Sequence, residues 1–296
     1  MNTPAERPER PERPDGPAGG AAGPRDGRLD GRVAVVTGGG QTPGAHIGNG
    51  RATAMLLAGR GARVVVVDRD GTTAEATAAM IAAEGGTAVP VTGDVTDPAT
   101  WRETVDQCLN RYGRLDIVHH NVGVATGDAS VNGTDLAAWQ HVMTVNSGSA
   151  ILMAQAVLPV MREAGRGVIT NVSSLAAIAA TTSSRGNTPV GYKMSKAALN
   201  ALTQMLALEN ARYGIRVNAI MPGLIDTPMG VDAAARVRGV ARDAYAAKRD
   251  AAVPLHGGMG SAWDVAHAAA FLASDEAAFI TGTLLPVDGG QAARLG

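Results

Sequence analysis

Cysteine is nearly missing from this chain. The one present, Cys108, excludes an intrachain disulfide and fits a reducing, cytosolic (cytoplasmic) compartment. It falls in a helical pattern from Trp101 to Arg111, where it reads as a small packed hydrophobe. No sign of charge prevails, since 26 Lys and Arg stand against 27 Asp and Glu. That balance argues against a nucleic-acid partner and against an acidic tail. No apolar run reaches the length of a membrane span, and no N-terminal apolar stretch reads as a secretory signal. Aromatic residues are only 3% of 296, whereas glycine occurs 38 times. Such a composition suits close backbone approach around a ligand.

What the chain has instead is alternation. Residues 1–30 are rich in Pro, Arg, Glu and Gly, with Leu29 their only large apolar residue after Met1, and read as a disordered tail. Residues 31–296 read as one α/β domain. Strands are predicted at Arg32–Thr37, Ala62–Asp68, Ala88–Val95, Leu115–Gly123, Arg166–Ser174, Ile215–Ile220 and Thr283–Val287. Helices are predicted at Ala52–Gly59, Thr73–Glu84, Pro98–Tyr112, Leu136–Met161, from Tyr192 onward, and at Trp263–Ala273. The stretch from Gly223 to about Gly260 reads as long and mobile. Strands alternating with helices predict a parallel sheet covered on both faces.

The first unit of this alternation is chemically specific. Gly38-Gly39-Gly40 and Gly48-Asn49-Gly50 lie between a strand and a helix. Glycines there let backbone amides approach a diphosphate, and the helix N-terminus favours its charge. Asp68 closes the second strand, where a carboxylate can accept from both hydroxyls of an adenosine ribose and repels a 2′-phosphate; a strand-end turn residue is the plainer alternative. Asp68 thus favours NAD, while Arg69 beside it keeps NADP open.

A second signal lies at Tyr192 and Lys196, four residues apart on one predicted helix and therefore on one face. A phenol titrates near pH ~10, and a nearby ammonium would draw it toward the range useful for acid/base catalysis. An amphipathic surface face gives the same spacing.

The ordered set Thr37-Gly38, Gly48-Asn49-Gly50, Asp94, His120-Asn121-Val122-Gly123, Asn146, Ser173-Ser174, Tyr192 with Lys196, Pro222-Gly223 with Thr227, and Asp288-Gly289-Gly290 resembles the short-chain dehydrogenase/reductase family. The resemblance covers nearly everything after the tail. It implies a Rossmann-type doubly wound parallel sheet and an NAD(P)-dependent oxidoreductase interconverting a secondary alcohol and a ketone. It implies Tyr192 as acid/base, Lys196 as its modulator and a ribose ligand, Ser174 on the substrate oxygen, and Asn146 in a proton relay. Cofactor contacts carry over to Gly38, Gly48, Asn49, Asp94, Val95, Asn121, Gly123, Pro222, Gly223, Ile225 and Thr227. No metal is implied, and His119 and His120 read as packed or hydrogen-bonded. Members usually form homotetramers, here through the helices carrying Asn146 and Lys196.

Three departures stand out. Seven residues, Gln41–Ile47, replace a single one before Gly48-Asn49-Gly50, enlarging the diphosphate loop. Val122 stands where Ala is usual. Ser174 and Tyr192 are 18 apart, so an extra Thr181–Asn187 segment is expected over the substrate entrance. Two other functions stay open. An NADPH-dependent 3-oxoacyl-carrier-protein reductase would use Arg236, Arg238, Arg242, Lys248 and Arg249 as a basic docking patch, although a solvated helix face explains them equally. A non-catalytic nicotinamide-binding regulator would bind cofactor without turnover. The substrate pocket is expected from 127–136, 176–190 and 225–259.

Overall fold

β1 (Val33–Thr37) and β2 (Arg63–Asp68) are β-branched runs without polar interruption, the pattern of strands buried on both faces. In the computed structural model, which describes residues 28–179, 189–255 and 258–294, they form the third and second strands of a seven-stranded parallel sheet. The other strands are β3 (Thr87–Thr92), β4 (Ile117–His120), β5 (Gly167–Val172), β6 (Ile215–Pro222) and β9 (Leu284–Val287), in the order β3-β2-β1-β4-β5-β6-β9. β7 (Ile225–Asp226) and β8 (Gly260–Ser261) make a separate two-stranded pairing.

Alternate residues of each central strand feed two cores. Val33, Val35, Val65 and Val67 face one side, with Trp101 and Cys108 of α3 (Pro98–Tyr112), Met153 and Val157 of α5 (Ser149–Glu163) and Leu199 of α6 (Val190–Asn210). Ala34, Val36, Val64 and Val66 face the other, with Leu57 of α1 (Asn49–Gly59), Ile81 of α2 (Gly71–Ala83) and Ala270 of α9 (Ala262–Ala273). Each fully buried Val or Leu contributes about 1.5–3 kcal/mol, so the sheet is held from both faces at once.

The strand order reverses between β1 and β4. In a doubly wound sheet that reversal opens a crevice at the carboxyl ends of the strands. The helix caps sharpen the point. Asp70 caps α2, Asp97 caps α3, Asp135 caps α4 (Leu136–Met143), and Ser261 with Asp264 forms a capping box on α9. α1, which opens onto the crevice, has Gly48 at its N-cap and no side-chain cap, so its first amides stay available to a ligand.

The structure corrects five expectations. Leu29 is fully buried in the second core, and its N–H donates to Arg60 O at 2.7 Å, so packing begins inside the stretch read as tail. Residues 1–27 lie outside the described residues. The helix expected over Leu136–Met161 is two helices, α4 and α5, joined by a π-turn at Thr144–Gly148. That run holds Thr, Val, Asn, Ser and Gly, all weak helix formers, and Ser147 Oγ and Ser149 Oγ donate back to Met143 O and Val145 O. The whole 136–163 segment is long and apolar enough to cross a bilayer by composition, contrary to the absence of such a run expected above, but half of its 18-residue apolar window is buried inside the protein. The strand expected over 115–123 ends at His120, which frees Asn121–Gly123 to line the crevice. The stretch after Gly223 is ordered as β7, a π-turn at Pro228–Ala233, α7 (Ala234–Arg238), α8 (Arg242–Asp250) and β8.

Candidate active site

A cavity of about 600 Å³ occupies the crevice. Its wall collects residues from strand ends scattered along the chain. Gly38 follows β1, Asp68 and Arg69 close β2, Asp94 and Val95 follow β3, and Asn121 and Gly123 follow β4. Ser174 follows β5, and Pro222, Gly223, Ile225 and Thr227 come from β6 and the chain beyond it. Gly48 and Asn49 of the α1 terminus, and Tyr192 and Lys196 of α6, complete it. All of the expected site residues except Asn146 therefore share one cavity.

One end of the cavity is a backbone cradle. A Cβ on Gly50 would sit 1.9 Å from Gly38 O, and Gly38 itself has φ +59°, so this turn needs glycine at both places. Asn49 Oδ1 is buried there without a partner. An uncapped helix terminus with an orphaned polar atom beside a glycine turn suits an anionic, hydroxyl-bearing group such as a dinucleotide. Asp68 closes this end. Its Oδ2 accepts from Gly40 N at 3.0 Å and its Oδ1 from Asp70 N at 3.1 Å, which fixes the carboxylate and leaves lone pairs on both oxygens. Hydrogen bonds from Thr96 N and Thr96 Oγ1 hold the Asp94 carboxyl below its usual range.

The inserted Gln41–Ile47 loop is built around Gln41. Its Nε2 donates to His46 O at 2.8 Å and to Thr42 O at 3.1 Å, and its Oε1 accepts from Gly48 N at 3.0 Å. The loop then reaches the segment after β7. Ala45 N donates to Asp232 Oδ1 at 3.1 Å, and His46 Nε2 lies 3.5 Å from Asp226 Oδ2.

At the other end stand Ser174, Tyr192 and Lys196. Ser174 and Tyr192 share a side-chain hydrogen bond, which pulls the phenol down, but burial outweighs it and leaves the Tyr192 pKa raised. This differs from the expectation that the Lys196 ammonium would lower it. The reason is the burial of the phenol itself. Lys196 is buried as well, with 2% exposed, and burial pushes its pKa down to about 7. Lys196 Nζ lies 5.8 Å from the Tyr192 ring centroid and donates to Val172 O at 2.7 Å and Val122 O at 3.4 Å. Ser173 Oγ donates to Lys196 O at 3.1 Å, so that serine braces the helix rather than the cavity.

Asn146 stands behind the wall. Its Oδ1 accepts from Val124 N at 2.7 Å, and its Nδ2 donates to Val124 O and Ser195 Oγ, both at 2.9 Å. His120 is locked in one neutral tautomer. Ser149 Oγ donates to Val145 O, so it must accept from His120 Nε2 at 2.9 Å. With the proton of the neutral ring on Nε2, Nδ1 accepts from Thr37 Oγ1 at 3.1 Å, and that hydroxyl in turn accepts from Asn121 N. His119 is buried with both ring nitrogens unpartnered, and burial holds both histidines down to about 3. Among the described residues, no three His, Cys, Asp or Glu side chains cluster as metal ligands.

Sequence reasoning missed Asp128, which accepts from Gly191 N and Tyr192 N at the start of α6. A polar residue in a Gly-Asp loop carries no signal of that contact. Of the predicted substrate pocket, Ala176, Ala179, Met229, Gly230 and Arg249 line the cavity. The Thr181–Asn187 segment lies outside the described residues.

The chain resembles known proteins over most of its length. Residues 44–292 match the family model described as Enoyl-(Acyl carrier protein) reductase. A cis-4-hydroxycyclohexanecarboxylate dehydrogenase from Sinomonas cyclohexanicum is 39% identical over 264 residues, covering 88% of this chain and 97% of the relative. A 2,5-dichloro-2,5-cyclohexadiene-1,4-diol dehydrogenase from Sphingobium indicum is 34% identical over 267 residues, covering 89% and 97%. The crystal structure of a Burkholderia xenovorans protein described as a short-chain dehydrogenase/reductase superposes with a TM-score of 0.83 at 40% identity, covering 91% of this chain and 99% of that one.

Proposed function

The chain belongs to the short-chain dehydrogenase/reductase family, an NAD(P)-dependent oxidoreductase of secondary alcohols and ketones, and from that premise we infer the roles of its cavity residues. A bound nicotinamide supplies the hydride acceptor or donor. The chain supplies the proton and the geometry. Ser174 Oγ holds the substrate oxygen, and the Tyr192 hydroxyl exchanges a proton with it. Lys196, with a pKa near neutrality, takes up or returns that proton and holds the ribose. Asn146 supports the relay from behind, since a Cβ on Gly123 would lie 3.1 Å from Lys196 Nζ and 3.8 Å from Asn146 Oδ1. The observation that carries this reading is that Ser174, Tyr192 and Lys196 line the same cavity as the uncapped α1 terminus.

Asp68 supports NAD over NADP, because its fixed carboxylate faces the cavity where a 2′-phosphate would be repelled. The named relatives support a ring-borne secondary alcohol as substrate, since two of them act on cyclohexane- or cyclohexadiene-derived alcohols by name. The carrier-protein alternative loses support because Arg242, one of its basic patch, is already paired with Asp226 and Asp232. A homotetramer through α5 and α6 is supported by Ile151, Met205 and Leu208, which expose 49%, 58% and 82% of their surface.

The test is formation of reduced nicotinamide with NAD and NADP in parallel over cyclic and aliphatic secondary alcohols and 3-hydroxyacyl thioesters, with Tyr192→Phe as control. Turnover of ring alcohols that the control loses supports the reading. Cofactor binding without any turnover favours the regulator.

A further inference from the structure

Two arginines of α8 meet opposite surroundings. Arg242 is surrounded by carboxylates: Asp226 at 2.7 Å, Asp232 at 3.6 Å and Asp243 at 3.7 Å. Arg249 lies seven residues on, which returns it to the same helix face, and it has no carboxylate partner among the described residues. Its Nε donates to Met259 Sδ at 3.2 Å, and its guanidinium carbon sits 5.6 Å from the Tyr245 ring centroid. These contacts orient the guanidinium without neutralising it. Its Nη2 is 3.6 Å from where a Cβ on Gly230 would stand, so the guanidinium lies at ordinary contact distance beside that residue. Arg249 and Gly230 line the same cavity as Tyr192 and Ser174, whereas the cavity carboxylates, Asp68 and Asp94, follow β2 and β3 at its opposite end.

A guanidinium offers a planar fork of donors matched to a carboxylate, and it cannot shed its charge at working pH. Facing this cavity and with no carboxylate partner of its own among the described residues, it favours an anionic visitor over a neutral one. We propose that Arg249 is a specificity-determining residue that pairs with a carboxylate carried by the substrate away from its reacting carbon. The proposal rests on the dehydrogenase reading above. Cofactor phosphates share the same anionic chemistry, so the experiment separates the two sources.

The full-length protein, R249Q and R249K are compared with NAD on 4-hydroxycyclohexanecarboxylate and on cyclohexanol. A charge-assisted hydrogen bond of the usual strength predicts that the wild-type preference in kcat/KM for the carboxylated alcohol falls roughly 10- to 100-fold in R249Q, mainly through KM. R249K should recover part of it. An equal preference in wild type and R249Q overturns the proposal. So does a loss confined to NADH affinity, which would assign the guanidinium to the cofactor phosphates. In parallel, cyclohexanecarboxylate and its neutral carboxamide are titrated into the NADH complexes. Binding that prefers the carboxylate and needs Arg249 supports the anion site even if neither alcohol turns over, an outcome that would instead sink the dehydrogenase reading. Equal binding of the two probes, or none, overturns the anion site.

Discussion

Asp128 holds the backbone of Tyr192. Its Oδ2 accepts from Tyr192 N at 2.6 Å and its Oδ1 from Gly191 N at 2.9 Å, while Val190 N donates to the neighbouring Ala129 O at 2.9 Å. A carboxylate from a distant loop thus does for α6 what the N-cap residue, Pro189, does not. Asp128→Ala should cost about 1–2 kcal/mol of stability and lower kcat roughly 10-fold, because small misplacements of a catalytic group are expensive. Asp128→Asn, which keeps one acceptor, should fall between. Thermal melts and steady-state kinetics on the same samples check this, and an unchanged kcat in Asp128→Ala would refute the positioning role.

Removing the phenolic hydroxyl should abolish proton transfer and little else. Tyr192→Phe should lower kcat by about 10²–10⁴-fold, with a far smaller change in the NADH Kd. Fluorescence titration beside kinetics separates the two. A kcat within a few-fold of wild type would remove Tyr192 from the acid/base role.

Charge at the end of β2 should govern cofactor choice. Asp68→Ala removes the carboxylate that Gly40 N and Asp70 N fix in place. The NAD-to-NADP ratio of kcat/KM should fall by about 10-fold or more. An unaltered ratio would leave Asp68 a turn residue.

The inserted loop should matter for holding cofactor. Gln41 makes all three of its side-chain hydrogen bonds within the loop and to Gly48 N, each worth about 1 kcal/mol. Gln41→Ala should therefore raise the NADH Kd several-fold, read by titration. An unchanged Kd would show that the loop holds its form without Gln41.

His119 sets a pH dependence. Its pKa drops from 6.5 to about 3 on folding because no partner compensates its burial. Between those values the unfolded chain takes up a proton that the folded chain refuses. Stability is therefore retained above pH ~6.5 and declines as pH falls toward 3, by at most about 1.4 kcal/mol per pH unit from this residue. His119→Leu should flatten that slope in urea unfolding between pH 7 and 4.5, leaving the part due to His120. An identical slope would mean that His119 does not titrate with unfolding.

The sheet was legible because its strands are simple. Runs such as Val64–Val67 admit one reading, and the glycine turn after β1 marks where they lead. Asp68, Tyr192 and Lys196 stood out in the sequence because they fall at a strand end or at one helical spacing, and Ser174 through the family resemblance; the fold brings all four to one cavity. What was hidden depends on contacts distant in sequence. Asp128 meets Tyr192 across 64 positions, and Leu29 is buried only because Arg60 and the second core come to it. The direction of the Tyr192 shift was misjudged for a related reason. Spacing told of a neighbouring amine, while only the fold shows that the phenol itself is buried. The split at Thr144–Gly148 was hidden because α4 and α5 continue one apolar pattern across it.

That π-turn carries a consequence for how the gene can change. A π-turn holds one residue more than the helix around it requires, and each helical residue advances the chain by about 100°. Deleting a single codon within Thr144–Gly148 would let α4 and α5 fuse into one continuous rod. Because the deleted residue is the one that the turn holds in surplus, α5 would keep its phase on α4, and Met153, Val157 and Met161 would stay in the core that they now fill. A deletion within α5 itself would instead turn every earlier or later residue by about 100° and draw part of that apolar row out of the core, so the turn marks a place in the coding sequence where this helix pair can take a change of length.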